Sequence, residues 1–451
     1  MKTYYFLGIG GIGMSAIARY FNGMGCKVCG YDLTKTELTL QLENEGIEIS
    51  YMDDISYLPK DIDLVVFTPA IPKDSVLLNY FIDNNFPMKK RSQVLGELTM
   101  GKKCIAIAGT HGKTTVTTMV AHLLHNSSIG CSAFLGGVSK DFGSNFVINK
   151  DSEFVVVEAD EFDRSFLQLS PYYAAITSVD ADHLDIYGSH EEMKNTFVEF
   201  ANKIPIKTND SKEKLFLKKG LDIEVNEGIE TLIYTISGYE AEYYAWNIRN
   251  YKGAYYFDFH TPEKVIYDIC LNYPGLHNIE NSVLAMAIAW NCGVNEDELR
   301  TAISSFSGVK RRFDYRIKRD DFVYIDDYAH HPQELRSCIE SVRDLYPNKK
   351  ITGVFQPHLF SRTKDFADDF ARALELLDEV VLIDIYPARE KPLPGVSSKM
   401  LLHKIDKMDK YYSTEDTLLD LLEALYPEVL LTLGAGDIDK LVKPIEERFS
   451  K

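Results

Sequence analysis

The chain has 451 residues, which at ~150 residues per domain predicts about three domains. Apolar residues make up 45% of it and charged residues 26%, proportions that are typical of a soluble globular protein and exclude collagen-like, coiled-coil and disordered classes. The net charge of −18 argues against a general affinity for nucleic acid or for an anionic membrane. It does not exclude a local basic pocket for a small anion.

Targeting signals are not evident in the chain. No apolar run approaches the ~18 residues that a membrane-spanning helix needs, so we expect no membrane insertion. A signal peptide is rejected because four glycines at patterned positions interrupt the stretch from Gly8 to Ser15. The seven cysteines are an odd and scattered set, which favours reduced thiols and a cytoplasmic protein.

The first unit begins with an apolar strand at residues 3–8, which runs into Gly8-Ile9-Gly10-Gly11-Ile12-Gly13-Met14-Ser15 and then into a helix. A second strand ends at Asp32, and a later strand, residues 63–67, ends at Thr68. Strand, G-x-G-x-x-G, helix, strand and acid are the parts of a dinucleotide-binding fold, in which glycines let the backbone approach a pyrophosphate. The order predicts a Rossmann-like domain with its ligand at the ends of the strands.

The second unit contains the strongest chemical signal. A short buried strand, residues 104–108, runs into Gly109-Thr110-His111-Gly112-Lys113-Thr114-Thr115 and a helix. A strict Walker A motif would have glycine at Ile107, so this is a variant phosphate loop. Its backbone N–H groups can still hold phosphates, Lys113 can reach the terminal phosphates, and the Thr114 hydroxyl can join a magnesium shell.

Two acidic segments follow strands of this unit. The strand at 153–157 ends in Glu158-Ala159-Asp160-Glu161, and an acid at a strand end near a phosphate loop is the usual place for a metal carboxylate. The strand at 173–178 runs into Asp180-Ala181-Asp182-His183-Leu184-Asp185, a pattern that is more often a solvated turn. Magnesium prefers oxygen ligands, so on chemistry alone a histidine ligand is unusual.

The rest of the chain is less uniform. Residues 205–235 are charged and weakly patterned and give no assignment, whereas residues 240–260 alternate polar and aromatic around Asn250-Tyr251-Lys252-Gly253 and predict a hairpin. A third unit begins after Gly308, where strands alternate with helices and predict another parallel sheet. The strands are predicted at 322–326, 351–355, 379–384 and 428–433, and the helices near 332–345, 362–377 and 412–425.

Taken together, the motifs resemble the Mur ligases, ATP-dependent enzymes that add amino acids to a UDP-sugar precursor of peptidoglycan. The resemblance covers the whole chain in the family's order. It rests on the phosphate loop, on the acids after strand 153–157, on His183-Leu184-Asp185-Ile186-Tyr187-Gly188 and on Gly275-Leu276-His277-Asn278-Ile279-Glu280-Asn281.

The fold that the resemblance implies is three α/β domains. Residues 1–98 would form a Rossmann-like domain that binds the UDP-sugar. Residues 99–307 would form a central ATP-binding domain, a P-loop ATPase-like parallel sheet. Residues 308–451 would form a Rossmann-like domain that binds the amino acid.

Further motifs resemble the family member that joins L-alanine to UDP-N-acetylmuramate. The nearest alternative within the family is the ligase of the murein tripeptide in cell-wall recycling, which shares the glycine fingerprint and the His-His-Pro region but lacks the Gln-Pro-His…Ser-Arg-Thr stretch. The motifs that favour the alanine ligase are the N-terminal glycine loop, Val309-Lys310-Arg311-Arg312-Phe313-Asp314, Asp326-Asp327-Tyr328-Ala329-His330-His331-Pro332, Phe355-Gln356-Pro357-His358, Ser361-Arg362-Thr363, Lys391-Pro392 with Gly395, and Gly434-Ala435-Gly436-Asp437.

The resemblance also assigns site residues. The ATP ligands it implies are Gly109, Thr110, His111, Gly112, Lys113, Thr114, Thr115, His277, Asn278, Asn281, Arg312 and Asp327. The UDP-sugar ligands are Gly10, Gly11, Gly13 and Ser15, with Asp32, Thr68 and Arg91 as weaker candidates. The amino-acid pocket is Tyr328, His330 and Arg362, the magnesium ligands are Thr114, Glu158 and His183, and the catalytic set is Lys113, Glu158, His183, Arg312 and His330.

Individual roles follow from the same resemblance. Asn278 and Asn281 would hydrogen-bond adenine, which suits the donor and acceptor of an amide. Asp327 would contact the ribose and Arg312 the terminal phosphates. Arg362 would bind the L-alanine carboxylate as a fork, without help from the position of Leu359, where the family often carries arginine.

Two other classes of function fit these motifs less well. A nicotinamide-dependent oxidoreductase shares the G-x-G-x-x-G signal, but hydride transfer has no use for a phosphate loop with a magnesium acid. A regulatory ATPase needs no amino-acid pocket. The resemblance therefore implies ATP and Mg²⁺ as cofactors, UDP-N-acetylmuramate and L-alanine as substrates, no nucleic acid, and a monomer or weak homodimer.

Overall fold

The structure is a computed structural model that describes residues 2–181, 184–208, 212–251, 253–388 and 390–450, with the backbone alone at residues 184 and 185. The chain forms two compact units. The first unit is Met1–Arg249, Tyr256–Asn272 and Glu280–Ser307, and the second unit is Asn250–Tyr255, Tyr273–Ile279 and Gly308–Lys451.

The first unit begins with a five-stranded parallel sheet in the order β3-β2-β1-β4-β5. The chain therefore leaves β1 in one direction and returns on its other side, which creates a switch point where open α/β sheets bind ligands. The strands are β1 (Thr3–Leu7), β2 (Lys27–Tyr31), β3 (Glu48–Ser50), β4 (Leu64–Phe67) and β5 (Met88–Lys90), and the helices are α1 (Ile12–Gly23), α2 (Glu37–Asn44), α3 (Val76–Asp83) and α4 (Arg91–Thr99).

The second sheet has ten strands in the order β15-β14-β13-β12-β11-β10-β6-β9-β7-β8. Every described pairing from β13 to β7 is parallel, and β8 pairs antiparallel with β7. Its strands are β6 (Lys103–Ala108), β7 (Ser132–Phe134), β8 (Phe146–Val147), β9 (Phe154–Glu158), β10 (Tyr173–Ile176), β11 (Lys214–Lys218), β12 (Thr231–Thr235), β13 (Tyr243–Tyr251), β14 (Ala254–His260) and β15 (Val265–Leu271). Its helices are α5 (Lys113–His125), α6 (Leu184–Tyr187), α7 (His190–Ala201), α8 (Leu276–Asn291) and α9 (Glu296–Ser305).

Two features of this sheet extend the sequence prediction. Residues 205–235, which had no assignment, contain β11 and β12, both of which add to the sheet in parallel. The neighbouring strands β13 and β14 are separated by residues 252–253 alone, as the hairpin prediction requires, although Lys252 lies outside the described residues.

The third sheet belongs to the second unit and has the order β16-β17-β21-β18-β19-β20. It is parallel as predicted, except that β16 pairs antiparallel with β17. The predicted helix at 362–377 is interrupted at Phe366 and forms two helices. The strands are β16 (Asp314–Lys318), β17 (Val323–Asp327), β18 (Ile351–Phe355), β19 (Glu379–Leu382), β20 (Lys410–Tyr412) and β21 (Val429–Leu433), and the helices are α10 (Pro332–Leu345), α11 (Phe360–Asp365), α12 (Ala367–Leu374), α13 (Ser398–Lys404), α14 (Glu415–Leu425) and α15 (Asp439–Phe449).

All seven cysteines are free thiols, as their scatter along the chain predicted. Within the described residues, no helix combines the length and the apolar character that a membrane crossing requires.

Candidate active site

The phosphate loop connects β6 to α5 and depends on two glycines with positive φ. Gly109 has φ 132° and Gly112 has φ 81°, a region that disfavours residues with a Cβ. A Cβ on Gly109 would lie 2.1 Å from Thr177 Oγ1, and one on Gly112 would lie 2.9 Å from Asn281 Oδ1. Neighbouring side chains therefore approach the loop so closely that neither glycine can be replaced without displacing them.

The segment after β10 fixes the middle of the loop. The Ser178 hydroxyl accepts a hydrogen bond from the His111 amide at 2.8 Å, and the Ser178 carbonyl accepts one from the Thr110 amide at 3.1 Å. The Thr110 hydroxyl accepts one from the Asp180 amide at 3.1 Å, and His111 Nε2 lies 3.4 Å from Asp180 Oδ2. Parallel strands β6 and β10 are neighbours, so their carboxyl ends bring these residues together.

Lys113, the first residue of α5, carries the positive charge of the loop. Its ammonium donates to Gly109 O at 2.6 Å and to Glu161 Oε1 at 2.8 Å, and 14% of its side chain is exposed. Burial disfavours the charged ammonium, but the carboxylates of Glu161 and Glu158 outweigh it and raise the pKa of Lys113 above its ordinary value. Lys113 is therefore cationic at neutral pH and able to bind an anion.

Glu158 and Thr114 lie beside this charge. Glu158 ends β9, whose register with β6 sets it opposite Ile107, just before the loop. A Cβ on Gly136 would lie 2.0 Å from Glu158 Oε2, so the absence of a side chain at Gly136 makes room for the carboxylate. Thr114 is buried in the first turn of α5.

A hydroxyl and a carboxylate beside a phosphate loop fit a hard cation such as Mg²⁺, which takes oxygen ligands. The described residues contain no group of three or more His, Cys, Asp or Glu side chains arranged for a metal. His183, the third predicted ligand, lies outside the described residues. The metal assignment therefore stays a prediction.

The N-terminal glycine loop is held by Asp32. Asp32 Oδ2 accepts a hydrogen bond from the Gly10 amide at 2.7 Å, and a Cβ on Gly10 would lie 2.8 Å from the same oxygen. Gly8 has φ 83°, and a Cβ there would lie 3.0 Å from Thr68 Cγ2. The ends of β1, β2 and β4 thus bring the predicted loop, Asp32 and Thr68 together at the switch point.

Arg91, the first residue of α4, covers the last glycine of this loop. A Cβ on Gly13 would lie 2.7 Å from Arg91 Nη1, and Arg91 Nη2 donates to Asp160 Oδ2 at 3.0 Å. Arg91 thus lies beside the predicted pyrophosphate loop and is also paired with an acid that follows β9. This pairing was not visible in the sequence.

Ser15, the last residue predicted to face the UDP-sugar, has protein partners in this structure. It is fully buried, its hydroxyl donates to Ile12 O at 2.9 Å, and it accepts from Asn145 Nδ2 at 2.9 Å. Asn145 also bonds the buried guanidinium of Arg19, which pairs with Glu45 at 2.7 Å. In this structure Ser15 packs α1 against the segment that contains Asn145, and its predicted contact with the UDP-sugar is untested.

In the second unit, the adjacent arginines have different environments. Arg311 Nε donates to Asp326 Oδ2 at 3.0 Å, and its Nη2 donates to Gly434 O at 2.8 Å. The Arg312 guanidinium lies 5.0 Å from the centre of the Tyr328 ring, and 27% of its side chain is exposed. Arg311 therefore ties the segment after Gly308 to β17 and to Gly434, while Arg312 stays partly exposed beside Tyr328, and its predicted contact with the terminal phosphates is untested.

Asp327 ends β17 and is buried. Its two carboxylate oxygens accept from the Phe313 amide at 2.7 Å and from the Ala329 amide at 2.8 Å. Burial raises the pKa of Asp327 to about 6, against the opposing effect of the Arg312 charge and of the two backbone donors. Its observed partners are backbone groups, and its predicted contact with ribose is untested.

Two residues of the predicted amino-acid pocket, Tyr328 and His330, are in contact, and the third, Arg362, acts on His330 through its charge. The rings of Tyr328 and His330 are 5.3 Å apart, and His330 Nδ1 lies 3.0 Å from Tyr328 O and 3.2 Å from Glu334 Oε2. Burial lowers the pKa of His330 to about 4; the Glu334 carboxylate opposes this, and the charge of the buried Arg362 adds to it. At neutral pH the His330 imidazole is therefore neutral.

The start of α8 carries the residues predicted for adenine. In the second unit, burial and then the charge of Arg312 lower the pKa of His277 to about 4, and Asn278 donates to Pro274 O at 2.5 Å. In the first unit, Asn281 lies against Gly112 of the phosphate loop. The contacts of these residues with a base are untested.

Three residues at these sites were not singled out from the sequence. Glu161 pairs with Lys113, Glu334 pairs with His330, and the His358 ring lies 5.9 Å from that of His330. Glu334 could have been found from the sequence, because it lies three residues after His331, the capping-box spacing at the start of α10. Nothing local distinguishes Glu161 from its two acidic neighbours Glu158 and Asp160 as the partner of Lys113.

Comparison with known proteins decides the family. Family models described as "Mur ligase family, catalytic domain", "Mur ligase middle domain" and "Mur ligase, glutamate ligase domain" match residues 3–103, 107–289 and 311–436. A UDP-N-acetylmuramate–L-alanine ligase of Parabacteroides distasonis is 48% identical, with 100% of this chain and 98% of that protein covered. The chain belongs to the Mur ligase family. The resemblance inferred from its motifs is thereby confirmed.

Other Mur ligases support the same placement. A ligase of the same name from Christiangramia forsetii is 48% identical, and the match covers 99% of this chain and 97% of that protein. The crystal structure of UDP-N-acetylmuramate-alanine ligase MurC from Thermotoga maritima matches with a TM-score of 0.84 and 27% identity, over 100% of this chain and 99% of that one. A murein peptide ligase from Psychrobacter arcticus, 22% identical with a TM-score of 0.73 over 99% of this chain and 98% of that one, shares the fold. The predicted three-part α/β fold class is confirmed.

Proposed function

We propose that this Mur ligase joins L-alanine to UDP-N-acetylmuramate at the expense of ATP, giving ADP and phosphate, in the synthesis of the peptidoglycan precursor. The observation that carries the proposal is that relatives 43–48% identical over 99–100% of the chain share the name of that ligase. The murein tripeptide ligase and the oxidoreductase are not favoured by these relatives.

Each sheet has a part in this proposal. We assign the UDP-sugar to residues 1–98, ATP to residues 99–307 and the amino acid to residues 308–451. The glycine loop with Asp32, Thr68 and Arg91 supports the first assignment, because backbone amides beside a guanidinium suit a pyrophosphate. The phosphate loop supports the second.

In the ATP site, Lys113 would bind the terminal phosphates, and Thr114 and Glu158 would hold Mg²⁺. When bound, the ion would neutralise charge on the phosphoryl group during its transfer. Lys113 provides a fixed positive charge for the same group, and Arg312 is the proposed second cation. Because the loop glycines and Ser178 hold the backbone around Lys113, little reorganisation of the backbone is needed when phosphate binds.

The proposed chemistry has two steps. A carboxylate oxygen of the lactyl group attacks the γ-phosphorus, the bond to ADP breaks, and an acyl phosphate forms. The neutral amine of L-alanine then attacks the acyl carbon, phosphate leaves with the bonding electrons, and the nitrogen loses a proton. Arg362 would hold the L-alanine carboxylate, and the neutral imidazole of His330 would stand beside the amine as a hydrogen-bond acceptor.

The experiment that tests the proposal is phosphate release by the purified protein with each substrate omitted in turn. Turnover should require ATP, UDP-N-acetylmuramate and L-alanine together, and the product should have the summed mass of the two joined substrates less one water. Turnover with the murein tripeptide in place of L-alanine would instead support the recycling ligase. Phosphate release that requires neither UDP-N-acetylmuramate nor L-alanine would support an ATPase.

The free thiols and the substrates support a cytoplasmic location for this reaction. The monomer or weak homodimer that the family resemblance implies is also part of the proposal.

A further inference from the structure

The phosphate-binding lysine of this structure is held by a carboxylate. Glu161 is 1% exposed, and its Oε1 lies 2.8 Å from Lys113 Nζ, within hydrogen-bond distance of the ammonium that the proposed function assigns to phosphate. A carboxylate oxygen and a phosphate oxygen are both anionic acceptors for this ammonium. A nucleotide that takes Lys113 must therefore compete with Glu161.

The backbone around Glu161 is fixed. The Glu161 carbonyl accepts from Tyr187 Oη at 2.5 Å and from the Arg164 amide at 2.9 Å. The carbonyl of the preceding residue, Asp160, accepts from the Phe166 amide at 2.9 Å. The side chain of Glu161 is consequently aimed at Lys113 by a structured turn.

The same turn is tied to the other nucleotide loop. Asp160 Oδ2 accepts from Arg91 Nη2 at 3.0 Å, and the other end of that guanidinium lies where a Cβ on Gly13 would be 2.7 Å away. The Arg91 guanidinium therefore lies beside Gly13 and pairs with Asp160, the residue before Glu161, and Glu161 pairs with Lys113. All five residues belong to the first unit.

We propose that Glu161 is a positioning residue that holds Lys113 while the ATP site is empty, and that Arg91 and Asp160 link its release to the sugar nucleotide. The proposal rests on the proposed function, because it takes the anion at Gly13 to be the UDP-sugar pyrophosphate. An anion that draws Arg91 away from Asp160 leaves that carboxylate beside Glu161 without its partner. The turn that aims Glu161 at Lys113 then loses one of its ties to the rest of the unit, so Glu161 holds Lys113 less firmly and phosphate competes better for it.

This coupling is reciprocal, because each ligand must raise the affinity of the other by the same factor. Couplings between sites are commonly ~5- to 150-fold in affinity. The wild-type protein should therefore bind a non-hydrolysable ATP analogue at least ~5-fold more tightly when UDP-N-acetylmuramate is saturating.

Two variants test the two halves of the proposal by calorimetric titration with this analogue, with and without Mg²⁺. Glu161→Gln keeps the shape and removes the competing charge, so without the sugar nucleotide it should bind the analogue at least ~5-fold more tightly than the wild type. Asp160→Asn should reduce the effect of the sugar nucleotide on analogue affinity to less than about twofold.

The matched control is Asp163→Asn. Asp163 Oδ2 pairs with Lys90 Nζ at 2.9 Å, so this variant removes the same charge from the same turn outside the series of contacts. It should keep the wild-type response to the sugar nucleotide. Melting temperatures of all three variants report whether each is folded, and Asp160→Asn still tests the link if Glu161→Gln does not fold.

Each outcome has one meaning. Unchanged or weaker analogue binding by Glu161→Gln would overturn the claim that Glu161 holds Lys113 while the ATP site is empty. A wild-type-sized response in Asp160→Asn, or an equal loss in Asp163→Asn, would overturn the link to Arg91. All of these results are measured as binding. Failure of the proposed function would be measured differently, as the absence of phosphate release that depends on L-alanine.

Discussion

Gly136→Ala tests the role of Glu158 without altering Glu158 itself. Gly136 does not have positive φ, so alanine is tolerated by the backbone at this position. The added Cβ would lie 2.0 Å from Glu158 Oε2, 2.3 Å from Cδ and 2.6 Å from Oε1. Because all three atoms belong to a carboxylate at the end of a side chain, we expect the carboxylate to move rather than the fold to fail.

The size of the movement follows from these distances. Ordinary contact begins at 3.4 Å, so Oε2 must retreat by at least 3.4 − 2.0 = 1.4 Å. Metal–ligand distances tolerate only about ±0.2 Å, which takes the carboxylate out of the shell of a bound ion. Disturbing the support of a metal ligand typically reduces metal affinity ~10- to 100-fold, and we expect the Mg²⁺ concentration for half-maximal turnover to rise by that factor.

The assay is L-alanine-dependent phosphate release as a function of Mg²⁺, with thermal melting as the test of folding. Gly23→Ala is the control, because its Cβ would meet only Ile148 Cδ1, at 3.8 Å. Glu158→Gln should show the same dependence on Mg²⁺ or a stronger one. A folded Gly136→Ala protein with the Mg²⁺ dependence of the wild type would refute the metal assignment of Glu158.

Three further outcomes are expected. Lys113→Ala should reduce turnover by at least ~100-fold and leave UDP-N-acetylmuramate binding within a few-fold in a direct titration, since the fixed charge lost is the one assigned to ATP; an equal loss of sugar-nucleotide binding would contradict separate sites. Arg362→Ala should raise the KM for L-alanine by at least ~30-fold, with partial recovery in Arg362→Lys, and initial rates that show a change for ATP instead would move Arg362 to the phosphate site. The pKa of His277 is lowered from 6.5 to about 4, first by burial and then by Arg312, so the unfolded chain takes up this proton before the folded one, and stability falls as pH falls from 6.5 to 4. The shift corresponds to up to ~3 kcal/mol, so His277→Gln should lose less melting temperature than the wild type between pH 7 and pH 4, and an equal loss would contradict this account.

Local sequence patterns were sufficient to predict several elements, among them a strand that ends in a loop whose glycines adopt positive φ. The strand predicted at 104–108 is β6 at Lys103–Ala108, and the helix predicted near 332–345 is α10 at Pro332–Leu345. Gly109 and Gly112 adopt the positive φ that a phosphate loop needs, a property of the residue type itself. Such features depend on near neighbours in the chain, so they can be read from a sequence.

Other elements were missed because their stability comes from distant partners. Strands β11 and β12 lie in a charged stretch without clear alternation, and they are strands because β10 offers β11 a parallel edge on which to pair. The helix predicted at 362–377 breaks at Phe366, although its apolar pattern continues. For the two strands, pairing with a distant partner overrode local preference.

The sequence by itself determined the family, the class of each sheet and the glycine loops, because these follow from residue types at fixed short spacings. Only the tertiary structure decided which charges meet. Lys113 could have paired with Glu158, Asp160 or Glu161, and it is Glu161, 48 residues away, that holds it. Arg91 meets Asp160 across 69 residues. Partner choice over such separations is set by the order of the strands, and strand order is a non-local property that short spacings do not encode.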